Sequence, residues 1–209
     1  LTGWSTANAS YFGYMFTDTA LTSLDLSSFD TSRAADMEGM FQACDSLETL
    51  TLSSRFTCEN VTTMRAMFNG CSSLTSLDVS SFNTSNVTNM ALMFHGCTSL
   101  ATLNVTGFNT GNVTDMGAMF SRCESLNLLG VSGWNVSNVK NMNSLFYACH
   151  ALTSLDLSAW NTSNVTDMTS TFDLMRGLTS LNLSGWNTSS VKSMQTMLSN
   201  HPNMRSIDV

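Results

Sequence analysis

Charge is scarce in this sequence. Asp, Glu, Lys and Arg make up 11% of the 209 residues, and the 8 basic ones are scattered along the chain. No Lys/Arg cluster is available to neutralise a run of phosphates, which excludes nucleic acid as an expected partner. The same scarcity leaves no polybasic hold on an anionic membrane surface. No apolar run approaches the roughly 18 residues that a membrane-crossing helix needs, so direct membrane insertion is not expected. Neither a basic leader nor a signal-like apolar segment opens the chain. No Cys-x-x-Cys pair occurs among the 6 cysteines, which argues against a zinc site. His95, His150 and His201 stand in three different contexts, without a Ser or Cys elbow motif or a phosphate-binding glycine loop. No catalytic residue, metal ligand or cofactor site is read from the chain, and an enzyme is not expected.

Apolar residues, by contrast, are plentiful. The hydrophobic fraction of 43% is enough for a sizeable core and excludes wholesale disorder. Ser, Thr and Asn take the place of charge, so the surface is expected to be neutral hydroxyl and amide. The net charge is −7, from 8 basic against 15 acidic residues.

The dominant feature is a repeat of about 26 residues. One unit, from Leu74 to Cys97, reads Leu-Thr-Ser-Leu-Asp-Val-Ser-Ser-Phe-Asn-Thr-Ser-Asn-Val-Thr-Asn-Met-Ala-Leu-Met-Phe-His-Gly-Cys. Units begin near 21, 47, 74, 100, 126, 152 and 178, with partial units at 1–20 and 204–209. The second unit carries one extra residue near Arg55. Residues 1–209 thus form a single repeat array of about eight repeats.

Each unit divides into two halves. The first, Leu-x-x-Leu-x-Leu, has the alternation of a leucine-rich-repeat strand, leucines inward and the intervening residues outward. The second sets Met90, Met93, Phe94 and Cys97 at i, i+3, i+4 and i+7, the spacing of one face of a short helix. The expected fold is therefore an α/β solenoid: a leucine-rich-repeat-like right-handed coil with one parallel-sheet strand and one short helix or turn per repeat. Stacking puts like residues over like. One column is aromatic (Trp4, Phe29, Phe56, Phe82, Phe108, Trp134, Trp160, Trp186), and another is Cys44, Cys71, Cys97, Cys123 and Cys149.

Leu1 to Phe16 aligns without a gap on Val131 to Phe146, and the chain stops inside a strand at Ile207-Asp208-Val209. Solenoids need polar caps. The expectation is a segment of a longer protein whose first and last turns leave apolar faces open.

The unit Met-Phe-x-x-Cys-x-Ser-Leu-x-x-Leu-Asp-Leu-Ser-x-Phe/Trp-Asn-Thr-Ser-Asn-Val-Thr-x-Met, seen clearly around Met142 to Met168, resembles the BspA-like leucine-rich repeats of surface proteins. This repeat type is also named after mycoplasma lipoproteins. The resemblance covers essentially the whole chain. It implies a solenoid on an extracellular or cell-surface protein, with a role in adhesion or binding, and it brings no catalytic residues. The chain departs from ordinary leucine-rich repeats where a buried Asn is usual, since Phe82 and Trp134 stand there and the Asn follows.

Several features admit two readings. The cysteine column suggests either disulfides or core thiols; its apolar register, with Thr19, Met175 and His201 as alternative occupants, favours thiols. Cys58 lies outside that column and is expected to be the more exposed thiol. The column Met37, Met64, Met90, Met116, Met142, Met168 and Met194 is read as core filling.

Asn-x-Ser/Thr sequons occur at Asn8, Asn60, Asn83, Asn86, Asn104, Asn112, Asn135, Asn161, Asn164, Asn182 and Asn187. Most are expected to form ladders on turn backbone. Asn104 and Asn182, at outward strand positions, are the candidate glycosylation sites.

The outward column Asp25, Thr51, Asp78, Asn104, Gly130, Asp156, Asn182 and Asp208 could suggest calcium, but it breaks at Thr51 and Gly130 and lacks the glycine-rich calcium-repeat pattern.

Function follows from surface. Inward positions belong to the core, which leaves Ser76, Asp78, Thr102, Asn104, Leu128, Gly130, Ser154, Asp156, Ser180 and Asn182 as the partner-binding candidates. Leu128 is the odd member, an aliphatic residue among hydroxyls with Gly130 beside it. The expectation is a non-catalytic adhesion, binding or scaffold module without a cofactor. Its partners would be a protein or glycan at a surface, or neighbouring copies in an assembly. The alternative is ice or crystal-surface binding through Thr/Ser/Asn columns. Against it, the column of Thr88, Thr114 and Thr166 is interrupted by Lys140 and Lys192.

Overall fold

Alternating leucines demand a strand with one buried face, and a computed structural model describing residues 3–209 shows it. Seven short strands recur along the chain: β1 (Ser23–Leu26), β2 (Thr49–Leu52), β3 (Ser76–Leu77), β4 (Thr102–Leu103), β5 (Ser154–Asp156), β6 (Ser180–Asn182) and β7 (Ser206–Asp208). All pairings are parallel and in repeat register, such as Leu24 with Leu50, Leu77 with Leu103, and Leu181 with Ile207. A second column of single parallel bridges joins Tyr11, Asp36, Thr63, Asn89, Asp115, Asn141, Asp167 and Ser193. The protein is a parallel-strand β-solenoid of about seven turns, its turns about 26 residues apart. The expected eight repeats reduce to this number because the partial units at the two ends do not each complete a turn.

The expected helix is absent: no helix occurs among the described residues. The backbone of the Met-Phe half explains why. Leu92 (φ 60°) and Gly96 (φ 70°) both sit in the left-handed region, as do Ala118 and Arg122 and, one turn on, Ser144 and Ala148. Two such residues four apart break any α-helix. The donors go elsewhere. Met90, Leu92, Phe94 and Gly96 donate N–H to the carbonyls of Asp115, Gly117, Met119 and Ser121 in the next turn, at 2.8–2.9 Å. Between them, Met93, His95 and Cys97 donate to carbonyls three residues back at 3.1–3.2 Å. Ala91 donates to Asn89 Oδ1 at 2.9 Å. Every N–H from 90 to 97 is satisfied, so the αL strain is offset by a full bond inventory.

The core is built of columns. Phe41, Phe68, Phe94, Phe120, Phe146 and Phe172 stack with centroids 5.2–5.9 Å apart and interplanar angles of 12° or less. Trp134, Trp160 and Trp186 form a second stack and donate Nε1–H to Val105, Val131 and Leu157 carbonyls at 3.2, 3.0 and 2.9 Å. Each indole thus keeps its polar handle satisfied.

The cysteines run as core thiols, as expected, and all six are free and buried. Within the column each thiol donates to the carbonyl of the Phe column one turn back, for example Cys97 to Phe68 at 3.2 Å and Cys123 to Phe94 at 3.1 Å. Cys58 corrects the sequence reading: it is fully buried, against Met37 Sδ at 3.8 Å. The extra residue precedes Phe56, so Cys58 keeps register with Thr31 and Thr84, members of a buried threonine column.

Apolar exposure is concentrated in the first and last described turns. Met168 and Phe172 are fully buried, whereas their column mates Met194 and Leu198 are each 43% exposed. Leu1, which the sequence reading placed at an open end, lies outside the described residues.

Candidate partner-binding face

The strands present one face to solvent. Ser76, Asp78, Thr102, Asn104, Leu128, Gly130, Ser154 and Asp156 are all exposed there, while Ser180 and Asn182 are half-buried. In five of the strands the outward acid or amide also shapes the turn that follows. Its Oδ1 accepts the N–H two residues on: Asp25 from Ser27 at 2.8 Å, Asp78 from Ser80 at 2.9 Å, Asn104 from Thr106 at 3.2 Å, Asp156 from Ser158 at 3.1 Å and Asn182 from Ser184 at 3.1 Å. Side-chain and backbone bonds from the serine hold the carboxyl of Asp78 below the usual carboxylate range, and Ser158 does the same for Asp156. For Asp25 the backbone bond from Ser27 is the larger cause. These carboxylates are therefore ionised at neutral pH.

The series fails at Gly130, which has no side chain to accept. The backbone tightens instead, with Val131 N–H on Leu129 O at 3.2 Å. The sheet is interrupted at the same place. Leu128 keeps a bridge to Thr102, but no strand pairing joins it to β5 among the described residues. A depression of about 530 Å³ lies between Ser76, Asp78, Thr102, Asn104, Thr106, Leu128 and Gly130. Leu128 stands over it, 76% exposed. A Cβ at Gly130 would approach Thr106 Cγ2 to 2.6 Å, so any side chain here displaces a threonine whose hydroxyl is tied to Asn104 Oδ1 at 2.7 Å.

The structure sorts the asparagines into classes. Nδ2 of Asn60, Asn86, Asn112, Asn138 and Asn164 donates to a carbonyl of the preceding turn at 2.7–2.8 Å, which makes the expected ladder. Their side chains are exposed rather than buried, so it is the hydrogen bond and not burial that engages the amide. Asn83, Asn135 and Asn161 accept the N–H two residues on. Of the two glycosylation candidates, Asn104 is exposed on the strand face, whereas Asn182 is half-buried and paired in register with Asp156.

Elsewhere, Thr88, Thr114 and Thr166 donate to carbonyls one turn back at 3.1–3.2 Å, with Lys140 and Lys192 occupying the same column. His150 Nδ1 lies 2.9 Å from Leu174 O, and His95 Nδ1 is buried without a partner. The depression itself was legible only as the Leu128 and Gly130 anomaly; the contribution of Thr106 carried no sequence signal.

No curated protein matches the chain. A family model does, over residues 1–54, 48–129 and 126–207, which together span almost its whole length. The chain belongs to the repeat family described as Mycoplasma protein of unknown function, DUF285.

Proposed function

We propose that this chain is a non-catalytic repeat module that binds a partner across its strand face, with the Leu128–Gly130 depression as the point of contact. The exposure of Leu128 carries the reading. Among the described residues, every other large apolar residue with more than a third of its surface in solvent lies in the first or last turn. A lone exposed leucine on a monomer's surface is ordinary. One that rims a depression where the sheet is interrupted is a contact point for an inserted side chain. The BspA-like character of the units supports an extracellular or cell-surface setting and an adhesion or scaffold role, with a protein, a glycan or neighbouring copies as partner classes. Asn104 is the better placed of the two glycan acceptors in that setting.

Leu128→Ser tests the proposal. Binding to arrays of immobilised extracellular proteins and glycans is expected to fall to background, while the unfolding free energy from urea denaturation stays within about 0.5 kcal/mol of the parent. A variant that binds as well as the parent overturns the proposal. Ice binding is the weaker reading, because the lysines interrupt its threonine column; thermal hysteresis in the purified chain would revive it.

A further inference from the structure

Building on the strand-face reading above, we propose that the partner is a cationic protein segment in extended conformation. It sets an apolar side chain over Leu128 and Gly130 and a guanidinium or ammonium group against Asp78. Three observations converge on this chemistry. Aspartates occur at outward strand positions of four turns, Asp25, Asp78, Asp156 and Asp208, and the one basic residue of the Leu-x-x-Leu-x-Leu segments is Arg205, in the last of them and five turns away from Asp78. Asp78 lines the same depression as Leu128. The ion pairs among the described residues are Arg55 with Asp30 and Arg65 with Glu38, so Asp78 faces the depression without a cation.

Charge also selects among occupants. A second copy would bring a like-charged face from a chain of net charge −7, a repulsive encounter. An acidic glycan meets the same repulsion. The depression holds no aromatic platform for a sugar ring, and its residues offer an aliphatic wall with one carboxylate at the rim. Two turn-to-turn steps separate Asp78 from Gly130, about 10 Å at the usual strand spacing. In an extended segment, side chains two residues apart stand on one side about 6.8 Å apart, and a long basic side chain spans the remainder. The motif read by this face is therefore basic, any residue, aliphatic.

The test uses three labelled peptides of about seven residues in one threonine-rich frame. The first carries Arg-Thr-Leu, the second Glu-Thr-Leu and the third Arg-Thr-Ser. Fluorescence anisotropy is read against the parent chain, Asp78→Asn and Leu128→Ser. The Arg-Thr-Leu peptide is expected to bind about tenfold tighter than either control. Its affinity should fall between about 50 and 300 mM salt. Asp78→Asn should cost several-fold and flatten that salt dependence, and Leu128→Ser should remove binding. Equal binding of the Glu-Thr-Leu and Arg-Thr-Leu peptides, both lost in Leu128→Ser, overturns the cationic inference and leaves the docking site standing. Arg-Thr-Leu binding that survives Leu128→Ser overturns both. Failure of Arg-Thr-Leu to exceed its controls on the parent chain overturns the inference.

Discussion

Asn141 donates from Nδ2 to the Asp115 carboxylate at 2.9 Å, and on its other side the same column continues to Asp167. The amide keeps these two carboxylates two turns apart, about 9.6 Å, where acids on successive turns would stand about 4.8 Å apart. The rule holds along the column, which runs Asp36, Thr63, Asn89, Asp115, Asn141, Asp167 and Ser193, and along the outward column, where Asp78 is followed by Asn104 and Asp156 by Asn182. No acid is stacked directly on an acid in either column. In a fold that piles like on like, alternation of amide or hydroxyl with carboxylate keeps an acidic chain from repelling itself turn by turn.

Asn141→Asp should therefore cost about 2–3 kcal/mol at neutral pH, since it removes a hydrogen bond to a charge and lines up three carboxylates. Asn141→Ser, the residue that Ser193 supplies one column end later, should cost less. Urea denaturation at low and high salt checks both, with the difference between them shrinking as salt rises.

All six cysteines should resist iodoacetamide until the chain is denatured. Burial pushes the thiols of Cys97 and Cys149 up to about 12 and raises those of Cys58, Cys71 and Cys123 as well, so little thiolate exists to react. Mass spectrometry after native and denatured labelling decides the matter. Early modification of Cys58 would show that the turn around the extra residue opens on its own.

Phe94 lies between Phe68 and Phe120, with centroids at 5.6 and 5.7 Å and rings within 7° of parallel. Phe94→Ala should destabilise by about 3–5 kcal/mol through the cavity and the lost stacking. Phe94→Leu should cost about 1–2 kcal/mol, since Leu198 already occupies that column. Chemical denaturation of the two variants measures the gap.

His95 makes stability depend on pH on the acid side of neutral. Burial first, and the nearby Arg122 charge second, hold its imidazole below the ordinary histidine value. The unfolded chain therefore takes up a proton near pH 6.5 before the folded chain does. The contribution is fully present above that pH and is lost as the pH falls through it toward the lower folded value. His95→Gln should flatten this part of the stability profile, read as urea midpoints at about pH 7.5 and 5.5.

The columns were legible because stacking at one register repeats a residue type. The phenylalanine, tryptophan, methionine and cysteine series could be read off by spacing, and so could the anomaly at Leu128. The helix was misread because Met90, Met93, Phe94 and Cys97 have the same spacing whether they face inward from a helix or from consecutive tight turns. The discriminating signal, φ > 0 at Leu92, Ala118 and Ser144, is carried by residues that do not advertise it. Bonds to the next turn impose that conformation, and those bonds are invisible within a single unit. Cys58 was misplaced for a different reason: counting across the extra residue hid its register with Thr84, which alignment on Phe56 restores.

The inter-turn bonds of the Met-Phe segment also have a direction. Phe68 donates to Met93 O, Phe94 to Met119 O, Phe120 to Leu145 O, and Phe146 to Thr171 O, at 2.9–3.0 Å. Each acceptor carbonyl shares a peptide group with the next donor, so these bonds form an unbroken spine of peptides in head-to-tail order. Parallel spines run through the series of Met90, Leu92 and Gly96. Four aligned peptide dipoles in each rise of about 4.8 Å match the density of an α-helix, which places 3.6 in about 5.4 Å. The sense is reversed, because the N–H groups point toward later turns. Bonds such as Thr88 to Thr62, beside this segment, and Ala101 to Thr75, beside the strands, run the other way and offset part of the field. This flank of the solenoid is therefore a macrodipole without a helix, positive toward its carboxyl-terminal turns. Its axial field attracts anions to the later end of the stack and cations to the earlier one.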